Sequence, residues 1–148
     1  MTLTGTYSRN LDDKRRLAVP KRLKEQFGEK DLTSLYVAPG TERSLALYSP
    51  EEFEKLSERF GAHSSGRPEY RNYLRLFFAR SERVEFDSQG RIRIPEWLVD
   101  LAQLKKDVIL LGVHDHAEIW DQNLWNEFLT KHVHDFDRMA SAAYEPTL

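Results

Sequence analysis

Seven basic side chains fall within sixteen residues near the start of the sequence: Arg9, Lys14, Arg15, Arg16, Lys21, Arg22 and Lys24, against two acids, Asp12 and Asp13. Cations at this density either line a solvated face or draw in a phosphate-rich or acidic partner. Two His-x-His segments, His114/His116 and His132/His134, have Asp115, Asp121, Asp135 and Asp137 nearby. On a strand such a pair sets both rings on one face. However, His114 and His116 are expected in a hairpin loop and no third ligand stands at a recognisable metal spacing. Structural or surface histidines are therefore the expectation, with a metal-dependent enzyme as the weaker alternative. Gly61-x-x-Ser-x-Gly66 departs from the Gly-x-Ser-x-Gly of a nucleophile elbow. Neither a phosphate loop nor a dinucleotide fingerprint occurs. The chain has no cysteine, which excludes thiolate metal sites, disulfides and cysteine nucleophiles and fits a cytosolic setting. No catalytic residue, metal ligand, cofactor or small-molecule substrate is expected.

The basic cluster is embedded in a repeat. Asp12-Asp-Lys-Arg-Arg16-Leu-Ala-Val-Pro20 aligns without gaps to Asp87-Ser-Gln-Gly-Arg91-Ile-Arg-Ile-Pro95. Asp, Arg and Pro coincide, and so do the aliphatic pairs Leu17/Ile92 and Val19/Ile94. The flanks follow suit. After each Pro, which suits the first turn of a helix, comes a short helical pattern over 21–27 or 96–104. An apolar strand follows over 34–38 or 108–113, then a polar connection and a second strand over 44–48 or 117–120. Ser49 and Asp121 then cap a helix, in the first copy with Pro50 behind the cap. Between the copies, Gly61–Pro68 reads as a loop. Tyr70, Tyr73, Leu74, Phe77 and Phe78 recur at helical spacing and lead into a strand over 80–86. The tail 141–148 is expected to be loosely ordered.

In the second copy Gln89-Gly90 must reverse two extended stretches, and Gly supplies the positive φ of a tight turn. Asp12 and Asp87 can accept backbone N–H groups of their turns and pair with Arg16 and Arg91. For Asp12, Asp87 and Arg91 the expected role is structural. Arg16, inside the basic cluster, is expected to contact a ligand. The aromatics Phe53, Phe60, Tyr73, Phe77, Phe78, Trp97, Trp120, Trp125 and Phe128 are expected to pack in the core or between subunits.

Two copies of Asp-x-x-Gly-Arg-x-x-x-Pro, 75 residues apart in a chain of 148, resemble the MraZ family, double-repeat relatives of the AbrB-type swapped-hairpin transcription factors. The resemblance covers nearly the whole chain. It implies an α+β fold of two tandem AbrB-like β-hairpin repeats, forming a small swapped-hairpin barrel with flanking helices. The division expected is 1–60 for the first repeat, 61–79 for the linker and inter-repeat helix, and 80–148 for the second repeat and tail, folding as one intertwined unit. It further implies a ring-shaped homo-oligomer that binds double-stranded DNA at direct repeats in the promoter of a bacterial cell-division and cell-wall gene cluster, as a repressor. It implies a cytoplasmic, nucleoid-associated location and no enzymatic activity. DNA contact falls on Lys14, Arg15 and Arg16, with Arg9 beside them; Asp12, Pro20, Asp87, Gly90, Arg91 and Pro95 form the turn framework. One position departs: the turn Gly, present as Gly90, is Arg15 in the first copy. Either that turn has another geometry, or it tolerates strain where an extra cation is useful.

Composition agrees with a soluble binding module. Hydrophobic residues make up 40% and charged residues 31% of the chain, and no stretch approaches the roughly 20 apolar residues of a membrane span. No basic segment followed by a long apolar run marks a secretory leader. Net charge is −2, but the first 75 residues carry 14 Lys/Arg against 11 Asp/Glu and the remainder 8 against 13. The basic half is thus the expected partner-facing half, the acidic half serving folding and assembly. A scaffold that shows its basic patch to acidic proteins is the alternative from another class.

Overall fold

The structure is a computed structural model that describes residues 1–62 and 66–145. The first repeat runs β1 (Thr6–Asn10), β2 (Arg16–Ala18), α1 (Lys21–Gln26), β3 (Ser34–Pro39), β4 (Leu45–Tyr48) and α2 (Pro50–Ala62), followed by α3 (Pro68–Arg80). The second repeats that order as β5 (Glu82–Glu85), β6 (Arg91–Arg93), α4 (Glu96–Leu101), β7 (Asp107–Val113), β8 (His116–Asp121) and α5 (Gln122–His132). A 3-10 turn at Val133–Asp135 leads into α6 (Phe136–Tyr144), the counterpart of α3. The fold is α+β with antiparallel pairing throughout.

The repeats exchange strands. A six-stranded sheet has the order β1-β7-β8-β4-β3-β5, and β2 pairs with β6 in a separate two-stranded ribbon. Each repeat keeps its own hairpin, β3–β4 or β7–β8. Its first strand instead lies on the other repeat, β1 along β7 with Tyr7 opposite Leu110, and β5 along β3 with Val84 opposite Leu35. The order reads the same from both ends when the repeats are swapped, so a local two-fold axis passes between β4 and β8 and between β2 and β6. The alternating aliphatics of the nonapeptides explain the ribbon: Leu17 lies opposite Ile92, both are buried, and both join Leu35, Leu47, Leu110 and Ile119 in one core. A polar residue at either position would break the core of both repeats.

Outside this core, α5 covers Ile109, Leu111 and Trp120 with Trp125 and Phe128. The aromatics of α2 and α3 interlock: Phe53 stacks on Tyr36 at 4.1 Å, and Phe60 packs edge-on against Tyr73, Phe77 and Phe78. At the other edge, Gly112 lets the chain's first residues approach. Gly112 N–H donates to Gly5 at 2.9 Å and Leu3 N–H to His114 at 2.8 Å. A Cβ at Gly112 would stand against the backbone of Leu3 and Thr4.

Several expected boundaries move. Pro20 and Pro95 stand at the caps of α1 and α4, with ψ of 136° and 143°, rather than within the first turn. The helix α4 stops at Leu101, where Ala102 leaves helical geometry. Arg80 closes α3 instead of opening a strand, and β5 covers Glu82–Glu85. Gly61 and Ala62 belong to α2 and Pro68 opens α3, so the expected inter-repeat loop is shorter; its residues 63–65, including the serine of the Gly61–Gly66 segment, lie outside the described residues. Ser141–Tyr144 are helical in α6, because Phe136, Met139, Ala140 and Ala143 recur at helical spacing; residues 146–148 of the expected loose tail lie outside the described residues. His116 opens β8 opposite Val113, so the second hairpin turn is only His114-Asp115, with His114 at φ 67°.

Candidate nucleic-acid interface

The two nonapeptide turns are built alike. Arg15 N–H donates to the Asp12 carbonyl at 2.9 Å and Asp12 N–H returns to Arg16 at 3.1 Å; Gly90 and Asp87 repeat this at 3.1 Å and 2.8 Å. A turn closed in this way, followed by a left-handed residue, is a three-residue hairpin loop with a bulge. The left-handed residues are Arg15, at φ 61°, and Gly90, at φ 76°. Their carbonyls explain the conformation: Ile94 N–H donates to Arg15 at 2.8 Å and Val19 N–H to Gly90 at 3.2 Å. Each turn therefore presents an acceptor to the other repeat's strand. The Arg15 turn keeps the glycine geometry and carries its strain, about 1–2 kcal/mol for a side-chain-bearing residue.

The aspartates hold the turns from inside. Asp12 Oδ1 accepts from Lys14 N–H at 2.9 Å and Arg16 N–H at 2.8 Å, and Oδ2 from Arg16 Nε at 2.7 Å. Asp87 does the same with Gln89 N–H, Arg91 N–H and Arg91 Nε at 2.9, 2.9 and 2.8 Å. The backbone N–H of Arg16, together with its guanidinium and the N–H of Lys14, holds the Asp12 carboxyl below its ordinary pKa; Arg91 and Gln89 do this for Asp87. Arg91 also reaches Asp12 at 3.9 Å across the local two-fold axis.

The ribbon's outer face is basic. With Leu17 and Ile92 inward, residues 16, 18, 91 and 93 point outward. The antiparallel register sets Arg16 opposite Arg93, and Ala18 opposite Arg91. Like charges directly opposed in a pair of strands repel, and Asp12 and Asp87 offset Arg16 and Arg91. For Arg93 no ion pair is found among the described residues. It stands where the first repeat has Ala18, so the repeat alignment conceals it; only strand alternation from Arg91 points to it.

The expected contact residues divide. Lys14, Arg15 and Arg16 share one turn, with Lys14 exposed. The Arg15 side chain runs back across the ribbon, its Nε donating to the Ile94 carbonyl at 3.1 Å. There it lines a cleft of about 350 Å³ of mixed charge, in which Arg83 and Arg93 face Glu82, Glu85 and Glu96 beside Trp97. Arg9 sits apart on β1, opposite Val108, in a hollow shared with Asp107 and Gln122.

The histidines lie elsewhere. His116 stacks on Tyr48 and places its ring nitrogens 2.8 Å from Asp115 and 3.4 Å from Glu118. Burial pulls its pKa down, but the two carboxylates outweigh burial and raise it. His132 ends α5 against Phe128, and His134 lies in the 3-10 turn. Among the described residues no group of three or more His, Asp or Glu side chains is arranged to hold a metal ion. No helix among the described residues is long and apolar enough to cross a membrane.

The doubled repeat has a counterpart among known proteins. The family model described as "MraZ protein, putative antitoxin-like" matches twice, over residues 2–76 and 77–145. The chain belongs to the MraZ family. Its relatives match along nearly their whole length. A protein of Mesoplasma florum named transcriptional regulator MraZ is 37% identical over 98% of this chain and 97% of its own. One of the same name from Mycoplasmoides gallisepticum is 35% identical over 93% and 94%, and one from Mycolicibacterium smegmatis 37% over 97% and 95%. The two MraZ repeats are the two halves that exchange β1 and β5.

Proposed function

We propose that this chain is a sequence-specific DNA-binding transcriptional regulator that performs no catalysis and acts in the cytoplasm on the nucleoid. The observation that carries this reading is the opposition of Arg16 and Arg93 on the outer face of the β2–β6 ribbon, with Lys14 at its turn. A two-stranded ribbon fits the major groove of DNA, and a polyanion relieves the repulsion of opposed guanidiniums. The names of the relatives agree with it. In this reading Arg16 reads base edges through the part of its fork that Asp12 leaves free. Lys14, Arg15, Arg93 and, from β1, Arg9 attract phosphates. Asp12, Pro20, Asp87, Gly90, Arg91 and Pro95 hold the two turns.

The operator follows from assembly. A ring built head to tail presents the same ribbon in the same orientation from each subunit, which suits direct repeats about one helical turn apart, roughly 10 bp. The resemblance to the MraZ family points to the promoter of a cell-division and cell-wall gene cluster, with repression as the outcome. The test is filter binding of operator and random DNA across a salt series, for the wild type and Arg16→Ala. The variant keeps its turn, because Asp12 still accepts two backbone N–H groups. Its melting curve is expected to stay close to wild type while operator preference disappears, at about 1–3 kcal/mol per base contact. Equal wild-type affinity for both DNAs would overturn the sequence specificity, and failure to bind either would overturn the reading in favour of a protein-binding scaffold.

A further inference from the structure

The helices α3 and α6 occupy equivalent places after α2 and α5, yet they are treated differently. The inner face of α3 is packed, with Phe77 buried among the rings of Phe53, Phe60 and Tyr73. No residue of α6 is buried. Val133, Phe136, Met139, Ala140, Ala143 and Tyr144 nonetheless form one apolar stripe at helical spacing. Phe136 is 68% exposed and Tyr144 89%. An amphipathic helix whose apolar side meets water marks an interaction surface.

A matching surface lies on the other half of the same chain. The outer side of α3, the β3–β4 turn and α4 enclose a groove of about 320 Å³ between Pro39, Tyr73, Leu76, Phe77 and Leu101. Leu76 is 63% exposed and Leu101 42%. The charges beside the two surfaces are complementary. α3 carries Arg71, Arg75 and Arg80 against Glu69, whereas residues 133–145 carry Asp135, Asp137 and Glu145 against Arg138.

We propose that the apolar stripe of α6 in one copy of this chain seats in the groove between α3 and α4 of the next copy. The contact joins two different patches, so it is heterologous and propagates head to tail until the rotation closes a ring. It rests on the reading of the chain as a ring-forming regulator and names the surfaces that form the ring. None of the residues that line the groove belongs to β2 or β6.

The test uses five full-length variants. Leu76→Glu spoils the groove and Phe136→Glu spoils the stripe; both side chains are exposed, so circular dichroism and melting are expected to match wild type. By light scattering each variant alone is expected to run as a monomer where wild type is oligomeric. An equimolar mixture is expected to stop at a dimer, because one intact stripe meets one intact groove. The chain has no cysteine, so a Leu76→Cys, Met139→Cys double variant is expected to give a disulfide-linked series of oligomers under mild oxidation, while each single variant stays largely unlinked. Variants that keep the wild-type mass, a mixture that stays monomeric, or Met139→Cys linking to itself would overturn the contact and leave the ring reading standing. A monomeric wild type would overturn both.

Discussion

Arg15 and Gly90 do the same backbone task with different side chains. Both adopt positive φ so that their carbonyls accept a hydrogen bond from the opposite repeat. Arg15→Gly removes about 1–2 kcal/mol of strain. It also removes the hydrogen bond to Ile94, worth about 0.5–1.5 kcal/mol, and gives the unfolded chain more freedom. The terms nearly cancel, so melting is expected to move by less than the equivalent of about 1 kcal/mol. Salt-dependent DNA binding is expected to flatten, its slope falling by about one counterion for each phosphate that Arg15 neutralises. A clear drop in stability would show that the side chain, not the carbonyl, justifies this conformation. Gly112 is the opposite case, a glycine needed for space. Gly112→Ala is expected to push Leu3 and Thr4 off β7 and lower the melting temperature, with faster hydrogen exchange at the Leu3 and Gly5 region as the direct readout.

The Asp turns are the elements on which the ribbon depends. Asp87 accepts two backbone N–H groups and one guanidinium, so Asp87→Ala is expected to lower folding stability and to weaken DNA binding only through that effect. A variant with normal melting and normal assembly that fails to bind DNA would place Asp87 in the reading surface instead. The pH dependence has a definite sign. The folded-state pKa values of Asp12 and Asp87 lie below the ordinary value of 3.8. Their stabilisation is complete above that value and is lost as pH falls through the folded-state values. The melting temperature is expected to fall on acidification below about pH 4, and less steeply for Asp87→Asn than for wild type. The apolar side of the same ribbon is less forgiving: Ile92→Ala leaves a cavity beside Leu17 at the junction of both repeats, a destabilisation of about 2–5 kcal/mol read from denaturant melts.

At the scale of the whole molecule, the ribbon is small and its charge partly offset by Asp12 and Asp87. One ribbon on one box is expected to bind weakly. Several ribbons joined in a ring raise avidity by about 10²–10⁴-fold with the same interactions at each box. An operator trimmed to a single box is therefore expected to lose most of its affinity in the filter-binding assay. Equal affinity for the trimmed and the full operator would mean that one subunit supplies the whole interface.

Local order was legible in the residues: the doubled nonapeptide, the two hairpins, the caps at Ser49 and Asp121, and the inward pairs Leu17/Val19 and Ile92/Ile94. Each rests on interactions within a few positions, where period and turn chemistry are decisive. Errors gathered where local signals are weak, as at Arg80, Leu101 and His116, or where a short amphipathic stretch such as Phe136–Tyr144 lacks a partner in its own chain. The interleaving of the two repeats came from the family resemblance, but only the tertiary structure identified β1 and β5 as the exchanged strands, since no spacing says that Tyr7 lies opposite Leu110 rather than a residue of its own repeat. Only the tertiary structure set Arg93 beside Arg16, moved Arg9 to another hollow and turned the Arg15 side chain under Ile94. Those relations join residues far apart in the chain. The place of Arg93 follows from burying Leu17 and Ile92 against one another, which fixes the ribbon's register and with it the outward charges, whereas that of Arg9 follows from the pairing of β1 with β7.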